Sequence, residues 1–369
     1  MIRILHIVTY MGRGGLETML MNYYRNIDRT KMQFDFLVHR DFVADYDDEI
    51  QSLGGRIYRL PRLNPMSRSY LQQLDNFFAT HKEYQIVHSH LDCMAGIPLI
   101  YAKQHGIPVR IAHAHSNSQE KDKKYLLKLL YKSNIARNAT DLFACGQEAG
   151  AWMFHTDDFM ILNNAINSQE YVYDEIKRRD IREELHISKE SFVVGHVGRF
   201  FPVKNHRFII EIFAELLKRN NQSMLLLVGD GDLKEQIENQ AQQLGIKDHI
   251  IFTGIRSDVP ALLQGMDCFL FPSLHEGLPV SIIEAQAAGL PCYISDAVPI
   301  ECKKTHLVEQ IPLSFSAKEW ADRIFQSRRL EREHTSDLII DAGFDIKENA
   351  QWLQKYYVNK LEENVNKGN

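Results

Sequence analysis

The feature that most limits the possible folds is a repeated alternation between short apolar segments and helix-forming segments along nearly the whole chain. Strands joined by helices in this way are typical of parallel sheets, in which the strands are buried on both faces. The apolar segments lie at 2–8, 34–39, 56–60, 86–88, 109–112, 141–145, 160–162, 192–197, 224–228, 250–254, 268–271 and 292–295. The pattern predicts doubly wound α/β sheets, whose ligands lie beyond the carboxyl ends of the strands.

Size and composition narrow the class of protein. The chain has 369 residues, which is enough for two domains that each bury a core. A net charge of −5 gives no reason to expect nucleic acid as a partner. The five cysteines are scattered without zinc or redox spacing, as expected of reduced thiols in a cytoplasmic protein. No signal peptide and no membrane-spanning apolar run is predicted.

The stretch 268–291 is the most informative part of the chain. It predicts a buried strand, a tight loop and a helix that starts near Pro279. Gly277 lets a ligand approach the backbone, and the helix start directs N–H groups and partial positive charge at the loop. Glu276 lies in this loop and Glu284 lies about a turn and a half into the helix. The alternative is an ordinary capped helix with a solvated carboxylate.

Two other loops are suited to binding phosphate. The first strand is followed by a glycine loop containing Gly14 and Gly15, and then by a helix start. The spacing is not G-x-G-x-x-G, so a dinucleotide site is disfavoured. In the second half, the strand 192–197 leads to Arg199 and then to Lys204 at another helix start. Exposed basic residues are usually only solvated, but this position at a strand end suits a diphosphate.

Histidines follow two neighbouring predicted strands. His88 and His90 end one strand, and His113 and His115 end the next. A histidine at a strand end is more often structural than functional. Four of them at two ends that line the predicted crevice favour a binding role.

Two strings match the D-x-D metal signature of some glycosyltransferases. They are Asp45-Tyr-Asp47 and Asp230-Gly-Asp232. The first lies at the start of a charged helix and the second in a turn, where Asp and Gly are common for conformational reasons. We therefore predict no metal site and no cofactor.

The string EGLPVSIIEAQAAGLP, with seven residues between Glu276 and Glu284, strongly resembles the signature of retaining nucleotide-sugar glycosyltransferases of family 4. The pattern Gly-Arg-x₄-Lys-Asn at 198–205 resembles a second hallmark of that family. The resemblance covers nearly the whole chain. It implies the GT-B fold, with two doubly wound Rossmann-like domains that face each other across a cleft. The expected divisions are an acceptor domain at 1–165, a donor domain at 166–345 and a helix at 346–369 that crosses back to the first domain.

The resemblance also implies roles for residues in the first domain. The loop with Gly14 and Gly15 is expected to approach the donor diphosphate. One histidine after the strand 109–112 is expected to contact the donor sugar. We assign this contact to His115, with His113 as the alternative register.

In the second domain, the resemblance places Arg199 and Lys204 on the diphosphate. Glu284 is expected to bind the ribose hydroxyls. Glu276 is expected to bind the sugar and to stabilise the charge that develops on it. The remaining donor contacts are expected from Gly277 and Leu278 and, through the segment that follows Gly254, from Ile255 and Arg256.

The implied reaction moves a hexose from a nucleotide sugar to a growing polysaccharide or lipid-linked glycan, with retention and without metal. UDP-hexose or UDP-N-acetylhexosamine is the expected donor, GDP-sugars being disfavoured, and capsular or exopolysaccharide synthesis is the expected setting. Two alternatives stay open. One is a nucleotide-sugar 2-epimerase of the same fold, and the other is a non-catalytic two-lobed binding protein, which the missing signal peptide disfavours.

The segment 118–137 predicts a helix with a leucine-rich face and a basic face. It suggests peripheral contact with an anionic membrane at the cytoplasmic side. The alternative is a surface helix whose leucines pack inward and whose lysines face water.

Overall fold

The computed structural model describes residues 1–117, 125–326, 328 and 331–367. The chain divides into two compact units. Unit 1 contains residues 1–165 and 345–369, and unit 2 contains residues 166–344. Each unit has its own parallel sheet and its own apolar core.

Among the described residues, the sheet of unit 1 has seven parallel strands in the order β3-β2-β1-β4-β5-β6-β7. The strands are β1 (Ile2–Val8), β2 (Met32–Val38), β3 (Ile57–Arg59), β4 (Ile86–Ser89), β5 (Val109–Ala114), β6 (Asp141–Ala144) and β7 (Met160–Ile161). The order reverses beside β1, which creates a switch point between β1 and β4. This is the position at which doubly wound sheets bind ligands.

The helices of unit 1 that connect these strands are α1 (Gly15–Asn26), α2 (Asp47–Ser52), α3 (Arg68–Thr80), α4 (Gly96–Gln104), α5 (Tyr125–Lys132), α6 (Ile135–Asn138) and α7 (Gln147–Phe154). Helix α1 shows why they form. Its apolar residues Met19, Leu20, Tyr23 and Tyr24 recur at helical spacing and are buried. They pack against the strands of the core.

In the described part of unit 2, six parallel strands follow the order β10-β9-β8-β11-β12-β13. They are β8 (Phe192–Val197), β9 (Ser223–Val228), β10 (Ile250–Gly254), β11 (Cys268–Phe271), β12 (Cys292–Ser295) and β13 (Val308–Ile311). The same reversal places the switch point of this unit between β8 and β11. The doubly wound fold predicted from the sequence is thus present in both units.

The helices of unit 2 are α8 (Ser168–Tyr171), α9 (Glu175–Glu184), α10 (His206–Leu217), α11 (Lys234–Gln243), α12 (Val259–Gly265), α13 (Val280–Ala287), α14 (Ala317–Gln326) and α15 (Ser336–Ile339). Helix α9 is held by Asp267, which comes just before β11. Its carboxylate lies 2.5 Å from Arg178 and 2.6 Å from Arg182, and it also accepts the main-chain N–H of Val193 at 2.7 Å. One carboxylate therefore fixes α9 against the starts of β8 and β11.

The last helix, α16 (Ile346–Lys367), belongs to unit 1. Tyr357 is fully buried in the core of that unit, and Tyr356 donates a hydrogen bond to Asp141 at 2.6 Å. The last helix therefore packs against the core of unit 1. Trp352 is 44% exposed, and its ring centre lies 5.5 Å from that of Tyr356 and 6.1 Å from that of Phe143.

The predicted helix at 118–137 is only partly described. Residues 118–124 lie outside the described residues, and α5 ends at Lys132. The prediction of one helix through residue 137 is wrong, because the Ser133 hydroxyl donates to the carbonyl of Leu130 and the chain restarts as α6. Lys132 is not on a basic outer face either. It is buried, with its ammonium 3.9 Å from the ring centre of Trp152.

Candidate functional site

The loops at the switch point of unit 2 bring two predicted site residues into contact. Lys204 ends a short 3₁₀ turn after β8, and Glu276 lies in the loop after β11. The Lys204 ammonium lies 2.7 Å from a Glu276 carboxylate oxygen, and both side chains are more than four-fifths buried. The same ammonium lies 4.6 Å from the ring centre of Phe271. A cation and a carboxylate are therefore held together where the doubly wound fold binds ligands.

Asn205 explains how the two loops are aligned. It has a left-handed backbone (φ 55°), which ends the turn at Lys204 and starts α10. Its side-chain amide donates to the carbonyl of Pro272 at 3.1 Å. Since Pro272 begins the loop after β11, this hydrogen bond ties the loop of Lys204 to the loop of Glu276.

Arg199 lies on the same loop as Lys204 and is exposed. Its guanidinium carbon is 5.8 Å from the ring centre of Phe201. The loop is supported by a close approach from the loop after β9. A Cβ on Gly229 would lie 2.2 Å from the carbonyl oxygen of Gly198, so only glycine fits there. The close approach of Gly229 to Gly198 thus holds the backbone that carries Arg199 in place.

Glu284 occupies the second turn of α13 and is buried. The helix begins at Val280, with Pro279 as its N-cap, one residue later than we predicted. The hydroxyl of Tyr171 donates to a Glu284 carboxylate oxygen at 2.7 Å. Burial raises the pKa of Glu284 to about 6, against the opposing effect of this hydrogen bond. A buried carboxylate with a raised pKa is typical of a functional position.

The remaining predicted donor contacts lie on loops of unit 2. Leu278 is buried, Gly277 is half-buried, and Ile255 is 57% exposed just after β10. The Arg256 guanidinium is held by two carboxylates, Asp258 at 2.6 Å and Glu184 at 2.9 Å. This side chain is therefore occupied, and the donor contact expected from this segment, a main-chain contact with the base, does not need it.

Three of the four aspartates in the two D-x-D strings have local structural roles. Asp47 is buried and lies 2.5 Å from Arg59, while Asp45 accepts the main-chain N–H of Arg13 at 3.2 Å. Asp230 accepts the N–H of Gly231 at 2.9 Å within its own turn. Metal independence of the reaction stays a prediction.

In unit 1, the loop after β1 leads directly into α1. Gly14 is the N-cap of this helix and supplies no side-chain cap. A Cβ on Gly15 would meet nothing within 4 Å, so the main chain borders open space at the helix start. A helix start of this kind can bind an anion, and the approach of the donor diphosphate to this loop stays a prediction.

The predicted histidines of unit 1 lie at the ends of β4 and β5. His115 is half-buried, and its main-chain N–H donates to Asp92 at 3.3 Å. His113 is fully buried and neither ring nitrogen has a hydrogen-bond partner. Burial lowers the pKa of His115 to about 3 and the pKa of His113 well below its ordinary value, so both rings are neutral. Of the two side chains, that of His115 is the less buried, and it lies just beyond the carboxyl end of β5.

Three residues beside these sites were not identified from the sequence. Tyr171 lies in the polar connector between the sheets, and nothing in its neighbourhood signals a contact with Glu284. Asp92, whose pKa burial raises to about 6, lies in a short turn after β4. His6 stands alone inside β1, but its position beside His88 follows once β1 is known to pair with β4.

Comparison with known proteins places the chain among sugar-transferring enzymes. The family model described as "Glycosyl transferases group 1" matches residues 177–303. EpsF of Bacillus subtilis (strain 168), provisionally named as a glycosyltransferase, is 34% identical over 99% of this chain and 98% of its own length. UDP-Gal:alpha-D-GlcNAc-diphosphoundecaprenol alpha-1,3-galactosyltransferase of Escherichia coli is 30% identical over 58% of each chain.

A similar fold occurs among solved structures. HepE of Anabaena in complex with UDP superposes with a TM-score of 0.80 at 18% identity, covering 97% of this chain and 100% of that one. Among the described residues, no helix has the length and apolar character needed to cross a membrane.

Proposed function

The chain belongs to the group 1 glycosyl transferases and has their GT-B fold, and from this premise we propose that it transfers a hexose from a UDP-sugar to a lipid-linked or growing glycan. The E. coli relative is named for a UDP-galactose donor and an undecaprenol-linked acceptor, and HepE was solved with UDP. A relative from Staphylococcus aureus, 23% identical, is named for capsular polysaccharide biosynthesis. These names support the donor class and the setting in capsule or exopolysaccharide synthesis.

The contact between Lys204 and Glu276 is the observation that carries the proposal. Cleavage of the sugar–phosphate bond leaves negative charge on the diphosphate, and the Lys204 ammonium beside Glu276 is the cation to which we assign its stabilisation. At about 4 Å and an effective dielectric near 20, one such charge contributes roughly 4 kcal/mol before desolvation. In the donor complex, Lys204 and Arg199 bind the diphosphate and Glu276 binds sugar hydroxyls.

Glu284 is assigned to the ribose. Its carboxylate is held on one side by Tyr171, which fixes its orientation for a diol. Two adjacent hydroxyls can each donate to a carboxylate, and charged hydrogen bonds of this kind are stronger than neutral ones. None of these residues acts as a nucleophile or a base. The leaving phosphate accepts the acceptor's proton on the face of the departing bond, which gives retention.

Peripheral contact with a membrane is proposed for α5. Leu126 and Leu130 are one turn apart on this helix and are 79% and 64% exposed, contrary to the expectation for leucines that pack inward. Lysines near an anionic surface add roughly 1 kcal/mol each.

Vesicle co-sedimentation tests this contact. Binding to the vesicles should require anionic lipid and should weaken when both leucines become Ala, whereas Leu244→Ala, at an exposed leucine of unit 2, should leave binding unchanged. Equal binding of all three proteins would exclude α5 as the contact.

Incubation with a panel of UDP- and GDP-sugars tests the main proposal. We expect release of UDP from one UDP-sugar, accelerated by a lipid-linked saccharide. Isomerisation of the nucleotide sugar without release would instead identify a 2-epimerase. Binding without either reaction would identify a two-lobed binding protein.

A further inference from the structure

Five histidines form one group of neighbouring rings on the sheet of unit 1, which we call the histidine cluster: His6, His88, His90, His113 and His115. The fold brings them together. His6 on β1 is the register partner of His88 on the parallel strand β4. His90 follows two residues later and faces the same way, since side chains alternate along a strand. The ring centres of His88 and His90 are 4.3 Å apart, and each lies within 5.4 Å of the ring centre of His6.

The ring nitrogens of the cluster are only partly paired. His6 Nδ1 lies 3.0 Å from His90 Nε2, and His90 Nδ1 lies 2.9 Å from His115 Nε2. His88 Nδ1 bonds the hydroxyl of Tyr357 at 2.7 Å. The Nε2 atoms of His6 and His88 are buried and have no hydrogen-bond partner. A buried polar atom without a partner costs about 1–3 kcal/mol, so two of them in one cluster need an explanation.

Metal ligation would give the Nε2 atoms of His6 and His88 a partner, and His90 would exchange one of its two histidine contacts for the metal. One ring nitrogen from each of His6, His88 and His90 lies within 4.8 Å of the other two. Imidazole binds Zn²⁺ at about 2.0–2.1 Å, so ligands of a tetrahedral ion are roughly 3.4 Å apart. Small ring rotations would close that gap. Burial also lowers the pKa of all three rings, which keeps them in the neutral form that binds metals.

We propose that His6, His88 and His90 bind one divalent transition-metal ion of the Zn²⁺ class inside unit 1. The contact from His88 Nδ1 to Tyr357 supplies the outer hydrogen bond that orients a metal-bound imidazole. Because Tyr357 belongs to α16, the ion would link β1 and β4 to the last helix. Its role is structural, and the Lys204–Glu276 pair of unit 2 takes no part in binding it.

The test uses the full chain without an affinity tag, produced in medium supplemented with Co²⁺ or Zn²⁺ and then washed with EDTA to remove surface metal. We expect about one ion per chain by elemental analysis, a visible ligand-field band for the Co²⁺ form, and a higher melting temperature than in metal-free preparations. His88→Gln and His6→Gln should each lose the ion and the band.

His39→Gln is the matched control. His39 is also a buried histidine of unit 1, but both of its ring nitrogens already have partners at 2.9 Å, the carbonyl of Val8 and the hydroxyl of Tyr70. It should keep the ion. If His88→Gln does not fold, the band of the wild-type Co²⁺ form and its loss on Zn²⁺ exchange still test the site.

Three results would overturn the proposal. The first is wild-type protein with no retained metal after the wash. The second is retention unchanged in both His6→Gln and His88→Gln. The third is loss in His113→Gln but not in His88→Gln, which would move the site to the outer group of His90, His113 and His115.

Discussion

The switch points of the two units have the same strand order but opposite chemistry. In unit 1, between β1 and β4, the rings of the histidine cluster are kept neutral by burial. In unit 2, between β8 and β11, the loops carry the Lys204–Glu276 ion pair and Arg199. The doubly wound fold thus determines where a ligand lies, and the side chains determine which part of the ligand can be bound. The loops at the switch point of unit 2 thus offer side-chain cations to a diphosphate.

The first test of this comparison removes the Lys204 ammonium from unit 2. Lys204→Ala should reduce turnover roughly 10- to 150-fold, because a charged hydrogen bond contributes about 1.5–3 kcal/mol and this one should strengthen in the transition state. Donor hydrolysis by the purified variant measures it. Lys218→Ala, which removes an exposed lysine paired only with Glu215 three residues away, is the control and should not change turnover. Unchanged turnover in Lys204→Ala would mean that the reaction does not need this cation, which would contradict the role given to the charged loops of unit 2.

The second prediction concerns the cost of the buried carboxylate. Because burial raises the pKa of Glu284 from 4.5 to about 6, the folded protein binds this proton more tightly than the unfolded chain. The contribution of Glu284 to the free energy of unfolding therefore falls as pH rises from about 4.5 to 6, by about 2 kcal/mol. The glutamine side chain keeps an oxygen that accepts the hydrogen bond from Tyr171, but it carries no charge. Relative to wild type, Glu284→Gln should gain about 2 kcal/mol between pH 4 and pH 7 in denaturant titrations. If the difference in free energy of unfolding between the variant and wild type does not change with pH, Glu284 is not buried in its charged form.

A third prediction divides the two glutamates of unit 2. Glu284→Gln should weaken binding of UDP about tenfold, because the ribose contact exists without any sugar. Glu276→Gln should leave UDP affinity close to wild type and lower turnover instead, since its partner is the sugar. Calorimetry with UDP and a hydrolysis assay separate the two effects. If both variants bind UDP as wild type does, the ribose assignment fails.

The sequence was a good guide to the fold because buried parallel strands and helix starts leave strong local patterns. It missed β13 at the edge of the sheet, because its residues Val308-Glu-Gln-Ile311 place two adjacent polar residues between two apolar ones and include no aromatic residue. The candidate site was harder. The contact from Tyr171 to Glu284 joins residues 113 apart, and the pairing of Lys204 with Glu276 joins residues 72 apart. Such contacts depend on strand order, which no local pattern records.

The smallest expected effect is that of chelation. We expect turnover to be unchanged in excess EDTA, because the side chains of unit 2 supply the positive charge that Mg²⁺ or Mn²⁺ supplies in other transferases. Assays with EDTA, and with Mn²⁺ added back, measure this. Activity that is lost on chelation and restored by Mn²⁺ would mean that one of the D-x-D strings was wrongly dismissed.

The central claim is that the charged loops of unit 2 hold the donor diphosphate. The most direct test is the ratio of the affinities for UDP and for uridine, because the two ligands differ only in the diphosphate. In the Arg199→Ala, Lys204→Ala double variant, we predict that affinity for UDP falls nearly to that for uridine, while affinity for uridine itself stays at the wild-type value. A double variant that still prefers UDP over uridine as strongly as wild type does would contradict the account.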